Sequence, residues 1–394
     1  MNKLFALLSL LLCFACSNQV QFKRIDAEFK HRYNLTDAPG AAIIIAKGDS
    51  ILYEQYAGVA DCLSGQAIDS LTRFNIASIS KQLTSVSILS LQNEGRLNID
   101  DRILKYLQNV DSIVFKDIKL KHLMSHSSGI PDSRPRNDRE WMLKATDEES
   151  ILYLDSVHSL HFTPGTAYEY INPTFQILYS IIQQKSGHSF VDFQQENIFD
   201  KAGMCNSFYF DCNAHHDNVA HGYVCEGAEE SDDRDTSKPT IFSDKPIIDS
   251  SGKKWHEYDY GEETFFATKA DGGCYSTARD LLKWNIALNS GKIIPQNLLD
   301  SAYSKFTVVS GSDFCNYQNR PNTFYGFGFF IDSTPGFPTK IYHTGDNGGF
   351  QAYLAYYLEQ KISIIILENR NDYDRWDFVK LIDAELREKE IGRA

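Results

Sequence analysis

"GAAIIIAKGDSILYEQYAGVA", residues 40–60, holds two β-rich runs joined by Lys47-Gly48-Asp49-Ser50, which is a hairpin signal. A second such pair lies far downstream in "FQAYLAYYLEQKISIIILEN", residues 350–369. It is followed by a helical pattern from about Tyr373 to Lys389. Residues 22–35 form an amphipathic helix candidate, with Phe22, Ile25, Phe29 and Tyr33 at intervals of three to four. The simplest assembly is an α+β fold in which both chain ends build one antiparallel sheet and the terminal helices pack on it. The stretch between, about 78–300, reads as mainly helical and loop-like, a region inserted between the two halves of the sheet.

The chain has 394 residues, 42% hydrophobic and 23% charged, which is enough to bury a sizeable core as one large domain or two closely packed ones. A net charge of −13 argues against a nucleic-acid surface, because neutralising phosphates needs clustered Lys and Arg. No apolar run reaches the roughly 18–20 residues of a spanning helix. The start is distinct: "MNKLFALLSLLLCFACSNQ" has one early cation, Lys3, then an apolar stretch from Leu4 to Ala15. That length suits a signal peptide over 1–15. Cys16, after Ala15, resembles the acylated cysteine of a bacterial lipoprotein, although Cys13 stands where that pattern prefers Leu. Lipidation at Cys16, ordinary secretion and an uncleaved anchor all export the protein to the cell envelope. The expected organisation is then a lipidated segment and helix over 16–36 and one domain over 37–390.

Six further cysteines, Cys62, Cys205, Cys212, Cys225, Cys274 and Cys315, permit disulfides in an exported chain. None has Cys-x-x-Cys spacing, so no zinc site is expected. Residues 213–262, with the dense acidic run "EGAEESDDRDTSKP", read as a solvated excursion with little to bury.

Within "FNIASISKQLTSV", residues 74–86, Lys81 follows Ser78 at a three-residue spacing that places both on one helical face. Leu83, Val86, Leu89 and Leu91 continue a buried helix from Ile79, and Gly95 is a fitting stop. One account makes Ser78 a helix cap and lets Lys81 reach water. The other holds an amine against a hydroxyl, in an apolar setting that disfavours the charged amine, and so activates Ser78. Two more stretches bear on the choice. In "FTPGTAYEYINPTFQILYSIIQQKSG", Tyr170 and Asn172 precede Pro173 at a first helical position, and the apolar helix ends near Gly187. A phenol there can relay a proton and an amide can hold a substrate carbonyl; alternatively Tyr170 is core and Asn172 a cap. "YHTGDNGGF" puts His343, Thr344 and Gly345 at a strand end before a Gly-rich turn. A substrate backbone can lie along such an edge.

Taken in order, Ser-x-x-Lys, Tyr-x-Asn and His-Thr-Gly resemble the three motifs of the serine β-lactamase and penicillin-binding-protein superfamily. The version here resembles the class C β-lactamase and D-alanyl-D-alanine carboxypeptidase branch. "LKHLMSHSSGIPD", "FTPGTAYEYIN", "GGCYSTARDLLKW" and "YGFGFFID" look like phrases of that family, and the likeness runs from about 37 to 370. The resemblance implies a β-lactamase/transpeptidase-like fold and an acyl-enzyme on Ser78, with Lys81 as proton acceptor and Tyr170 as general base and acid. It implies that Asn172, His343, Thr344 and Gly345 bind substrate, and that the N–H groups of Ser78 and Asp346 form the oxyanion hole. It implies a peptide, amide or ester substrate, such as one derived from the cell wall, and no cofactor or metal. The remaining expectations are a monomer and membrane contact through the lipid alone. Class C enzymes usually have Lys where His343 stands, which points away from strong β-lactamase activity. A penicillin sensor and a catalytically silent scaffold of the same fold are the rival readings. His122 and His126 lack the glutamate of a zincin, His215-His216-Asp217 reads as an exposed loop, and Gly272-Gly273 as a turn beside the pocket.

Overall fold

The computed structural model describes residues 22–135, 138, 141, 145–211, 213, 214, 216–228, 245–257, 268–309 and 322–389. Its centre is an antiparallel sheet of eight strands. In chain order these are β1 (Ala41–Lys47), β2 (Ser50–Ala57), β3 (Thr307–Val308), β4 (Thr323–Tyr325), β5 (Phe330–Asp332), β6 (Lys340–Asn347), β7 (Phe350–Tyr357) and β8 (Ile362–Glu368). Their spatial order is β3-β4-β5-β6-β7-β8-β1-β2. Both expected hairpins are present, and they join where β1 pairs with β8, from Ala41 opposite Glu368 to Lys47 opposite Ile362. Gly48 makes the first turn possible, because its φ of 58° lies in the left-handed region that side chains resist.

Both faces of the sheet are covered, which is why β1, β7 and β8 are apolar almost throughout. Side chains alternate across the strands. Ile43, Ile45, Ile364 and Ile366 face a core shared with Phe22, Ile25 and Phe29. Ala42, Ile44, Ile365 and Leu367 face the larger core under the helical region. Full burial of each of these isoleucine, leucine and phenylalanine side chains contributes about 1.5–3 kcal/mol.

Five helices matter for the site: α1 (Lys23–Arg32), α2 (Ser80–Asn93), α3 (Pro173–Ser186), α4 (Ala278–Asn289) and α5 (Arg375–Glu388). Helices α1 and α5 lie together on one face, tied by a hydrogen bond from Ile25 N–H to Glu385 Oε2 at 2.9 Å. Helix α1 is thus continuous with the core. Helix α2 is buried on every side from Ser80 to Leu91, and two of its small hydroxyls bond to backbone oxygens. Thr84 Oγ1 donates to Ala270 O at 2.8 Å and Ser87 Oγ to Leu83 O at 2.9 Å. Helix α3 starts at Pro173 and ends on Gly187, whose φ of 77° caps it.

The stretch 213–262 departs from the expectation of a solvated excursion. Its described flanks form a small sheet, Tyr223–Cys225, Lys254–Glu257 and Ile247–Ile248, around a buried Trp255. Trp255 Nε1 donates to Asp249 Oδ2 at 2.9 Å, and Cys225 N–H to Asn371 Oδ1 at 3.0 Å. The strands are too short for a period to show beside so many charges. Most of the acidic run itself lies outside the described residues, as do Cys16, Cys212, His215 and Cys315. Cys62, Cys205, Cys225 and Cys274 are free thiols.

Candidate active site

Ser78 lies in a single 3-10 turn, Ala77–Ile79, that leads directly into α2. Ala77 before it has a φ of 45°, a left-handed conformation that costs a residue with a side chain roughly 1–3 kcal/mol. Asn75 Oδ1 holds it there by accepting the Ala77 N–H at 2.7 Å. Ser78 itself is only part-buried, so a ligand can reach it. It does not cap α2: no side-chain cap bond is made at that terminus.

Lys81 is 0% exposed. Its Nζ lies 2.8 Å from Ser78 Oγ and donates to the backbone oxygen of Asp271 at 2.7 Å. The aromatic faces of Tyr170 and Phe175 stand 5.0 and 5.6 Å away. Of the two accounts of this lysine, the structure therefore gives the amine held against the hydroxyl. Asp271 O comes from a short helical turn, Lys269–Gly272, which Asp147 pins by accepting the N–H groups of Lys269 and Ala270 at 2.6 and 3.2 Å. Burial and the neighbouring Asp271 push the Asp147 carboxyl well above its usual range.

Tyr170 and Asn172 sit on the loop before α3. Asn172 makes no capping bond, and its Oδ1 is buried with no hydrogen-bond partner in the protein. The loop is held by His126, a residue with a φ of 52°. Its carbonyl accepts the Glu169 N–H at 2.9 Å, its Nδ1 accepts the Ile171 N–H at 3.2 Å, and its ring lies 4.2 Å from that of Tyr170. Burial, Lys81 and His343 hold this imidazole well below its usual pKa, so it is neutral. His122, by contrast, spends its Nδ1 on the Lys119 N–H. Among the described residues no group of three or more His, Cys, Asp or Glu is placed to hold a metal.

Strand β6 supplies the other wall. Gly345 is where the chain needs no side chain: a Cβ there would stand 2.2 Å from Ile76 O and 3.1 Å from the Ala77 Cβ. The strand thus lies directly against the backbone that carries Ser78. His343 reaches the same site, with its ring 6.2 Å from that of Tyr170, but is not presented as a free donor. It is 1% exposed. Its Nδ1 faces Thr344 O at 2.6 Å and must carry the proton, so its Nε2 accepts from the Tyr325 hydroxyl at 2.9 Å. Burial and the nearby Lys81 lower its pKa to about 3. Asp346 is bound by Arg375 through both carboxylate oxygens, at 2.6 and 2.7 Å.

Sequence reasoning named Ser78, Lys81, Tyr170, Asn172, His343, Thr344, Gly345 and Asp346; the fold brings Ser78, Lys81, Tyr170, His343 and Gly345 together, with Asn172 on the loop of Tyr170 and Thr344 and Asp346 flanking Gly345 on β6. That reasoning missed Asp271, His126, Tyr325 and Arg375. His126 and Tyr325 lie inside family-like phrases, which was a usable signal. Asp271 acts through a backbone oxygen, which leaves no mark on residue type.

A family model described as Beta-lactamase matches residues 25–384. The chain belongs to the beta-lactamase family. The α+β fold and the superfamily read from the three motifs are therefore borne out, and family membership makes the chain a β-lactamase-related serine hydrolase. Penicillin-binding protein 4* of Bacillus subtilis is 23% identical over 367 residues, which cover 90% of this chain and 72% of that protein. D-aminopeptidase of Brucella anthropi is 31% identical over 176 residues, 42% of this chain and 32% of the relative, so the match spans about a third of its length. Among solved structures, the octameric penicillin-binding protein homologue from Pyrococcus abyssi aligns with a TM-score of 0.73 at 24% identity, covering 93% of this chain and 77% of that one.

Proposed function

We propose that this protein is an exported hydrolase that forms an acyl-enzyme on Ser78 and cleaves small peptides, amides or esters. The observation that carries the reading is the 2.8 Å approach of a fully buried Lys81 Nζ to Ser78 Oγ. In its neutral form that amine accepts the Ser78 proton as Oγ attacks the substrate carbonyl carbon. The carbonyl oxygen becomes an oxyanion received by the N–H groups of Ser78 and Asp346. Collapse of the tetrahedral intermediate breaks the scissile bond, and the proton passes from Lys81 through the Tyr170 hydroxyl to the leaving group. Water then attacks the ester on Ser78 by the reverse proton route and frees the enzyme. Thr344 and the edge of β6 seat the substrate backbone, and Asn172, whose buried Oδ1 makes no hydrogen bond within the protein, is assigned to a substrate N–H.

A neutral His343 with both ring nitrogens engaged favours neutral esters and amides over substrates that need a carboxylate docked at that position. This supports esterase- or amidase-like chemistry ahead of strong β-lactamase or D,D-carboxypeptidase activity, whose substrates carry a carboxylate. A monomer is the working expectation for this chain, and the relative from Pyrococcus is octameric. Export rests on the apolar segment before Cys16 and on the lipoprotein-like cysteine itself.

Mass spectrometry of the protein after treatment with a fluorophosphonate tests the reading: the adduct maps to the peptide containing Ser78, and Ser78→Ala takes up none. Labelling of another serine, or ester turnover by Ser78→Ala, overturns it. A penicillin that labels Ser78 without release, in a protein inert to esters, would instead establish a sensor.

A further inference from the structure

We infer that Arg375 is a positioning residue for the oxyanion site, acting through the peptide that joins Gly345 to Asp346. The inference rests on the acyl-enzyme reading above. Arg375 opens helix α5, which packs with α1 on one face of the sheet, is 7% exposed, and makes contacts near the end of β6. Its Nη1 donates to Gly345 O at 3.3 Å and Ala352 O at 3.2 Å, so it spans β6 and β7 where Gly345 pairs with Ala352. Its Nη2 holds both oxygens of Asp346.

The carbonyl of Gly345 and the N–H of Asp346 belong to one planar peptide and point in opposite senses. A guanidinium on the carbonyl therefore fixes the direction of the N–H. It also polarises the amide, which makes that N–H a stronger donor. On its other side β6 is paired with β5 only as far as Tyr342, so beyond that residue this edge of β6 is not taken up by β5. The close approach of Gly345 to Ile76 and Ala77 makes the same peptide a neighbour of the turn carrying Ser78.

There is a second, electrostatic part. Asp346 places a carboxylate on the residue whose N–H would receive a developing negative charge. Left alone, that carboxylate opposes the oxyanion. Arg375 neutralises it: Nη2 alone meets both Asp346 oxygens while Nη1 holds the carbonyls of Gly345 and Ala352, a fork of two fixed nitrogens that the single nitrogen of a lysine cannot reproduce.

The test uses the full chain, a short p-nitrophenyl ester and a fluorophosphonate. Arg375→Ala should lower kcat by about 10- to 100-fold, less than the roughly 10²–10³-fold of losing an oxyanion donor outright, because the N–H itself remains. KM should stay within about 3-fold, and the rate of Ser78 labelling should fall in parallel with kcat. The double variant Asp346→Ala/Arg375→Ala should recover at least about 5-fold of the lost kcat, because the opposing charge is gone. Arg375→Lys, which keeps the charge and lacks the fork, should lose about 5-fold or more while melting cooperatively; it carries the test if Arg375→Ala does not fold. A cooperatively melting Arg375→Ala or Arg375→Lys with wild-type kcat overturns the inference. So does a loss explained wholly by a smaller folded fraction, or a double variant no better than the single. A wild-type adduct that maps away from Ser78 sinks the acyl-enzyme reading itself, whatever Arg375 does.

Discussion

Gly345→Ala adds one methyl group at the tightest point of the site. The added Cβ would stand 2.2 Å from Ile76 O and 3.0 Å from Ile76 C, whereas ordinary contacts begin near 3.4 Å. Both partners are backbone, so no side chain can swing aside, and roughly 1 Å of displacement must be shared between β6 and the Ile76–Ala77 segment. Gly345 does not have a positive φ, so the penalty is steric and not conformational. Overpacking of this kind costs about 1–3 kcal/mol, seen as a fall of a few degrees in melting temperature. The functional cost is larger, because the displaced segments carry Ser78 on one side and Asp346 on the other. A misplacement of about 1 Å costs on the order of 10²-fold in rate. The assay is ester turnover and the second-order rate of fluorophosphonate labelling, alongside a thermal melt. Gly272→Ala is the matched control: it adds the same methyl beside the same turn, but its Cβ meets nothing nearer than Ala77 C at 4.0 Å. That variant should keep its labelling rate within about 3-fold. Labelling of Gly345→Ala at the wild-type rate, or equal losses in the two variants, would refute the placement of β6 against the serine turn.

Lys81→Ala and Tyr170→Phe should each lower ester turnover by on the order of 10³-fold, and the double variant little further, since both serve one proton route; additive losses would separate them. Burial raises the Glu368 carboxyl to about 7, so between its ordinary 4.5 and 7 the folded chain keeps a proton that the unfolded chain has lost. Stability from this group is therefore present at low pH and declines as pH rises through that window, by on the order of 3 kcal/mol. Glu368→Gln should remove that decline, and an unfolding free-energy difference from wild type that is the same at pH 4.5 and 7.5 in denaturant titrations would count against it. Cys16→Ser should move the protein from the membrane to the soluble exported fraction, and unchanged membrane association would rule out lipidation there.

The parts of this fold legible in the sequence were those written locally. Gly48 marks the first hairpin, Pro173 and Gly187 bracket α3, and the three-residue step from Ser78 to Lys81 fixes which face the amine takes. Expected boundaries at 373–389 and 22–35 shrank by a few residues to Arg375–Glu388 and Lys23–Arg32 as the terminal turns frayed. What could not be read depends on chain segments that meet only in space. Arg375 lies 29 residues from Asp346 with two strands between them. Tyr325 meets His343 from across β5, and its hydroxyl occupies a ring nitrogen of a residue expected to bind substrate. The small sheet around Trp255 was hidden because its strands are two to four residues long, too few to outweigh the acidic composition around them.

The pairing of β1 with β8 also governs how the molecule is made. Residues 41–47 find their partners about 320 residues later in the chain. At a synthesis rate of about 5–20 residues per second, the first hairpin waits roughly 15–60 s before the strand that flanks it exists. Through that interval an apolar, isoleucine-rich edge is unpaired, which is the kind of surface that recruits other strands. Arg375 follows later still. A partly synthesised chain therefore carries Ser78 and Lys81 without the strand wall that faces them. Hydrolytic competence would arrive late and all at once, when the segment from β6 to α5 has been made and closes the sheet.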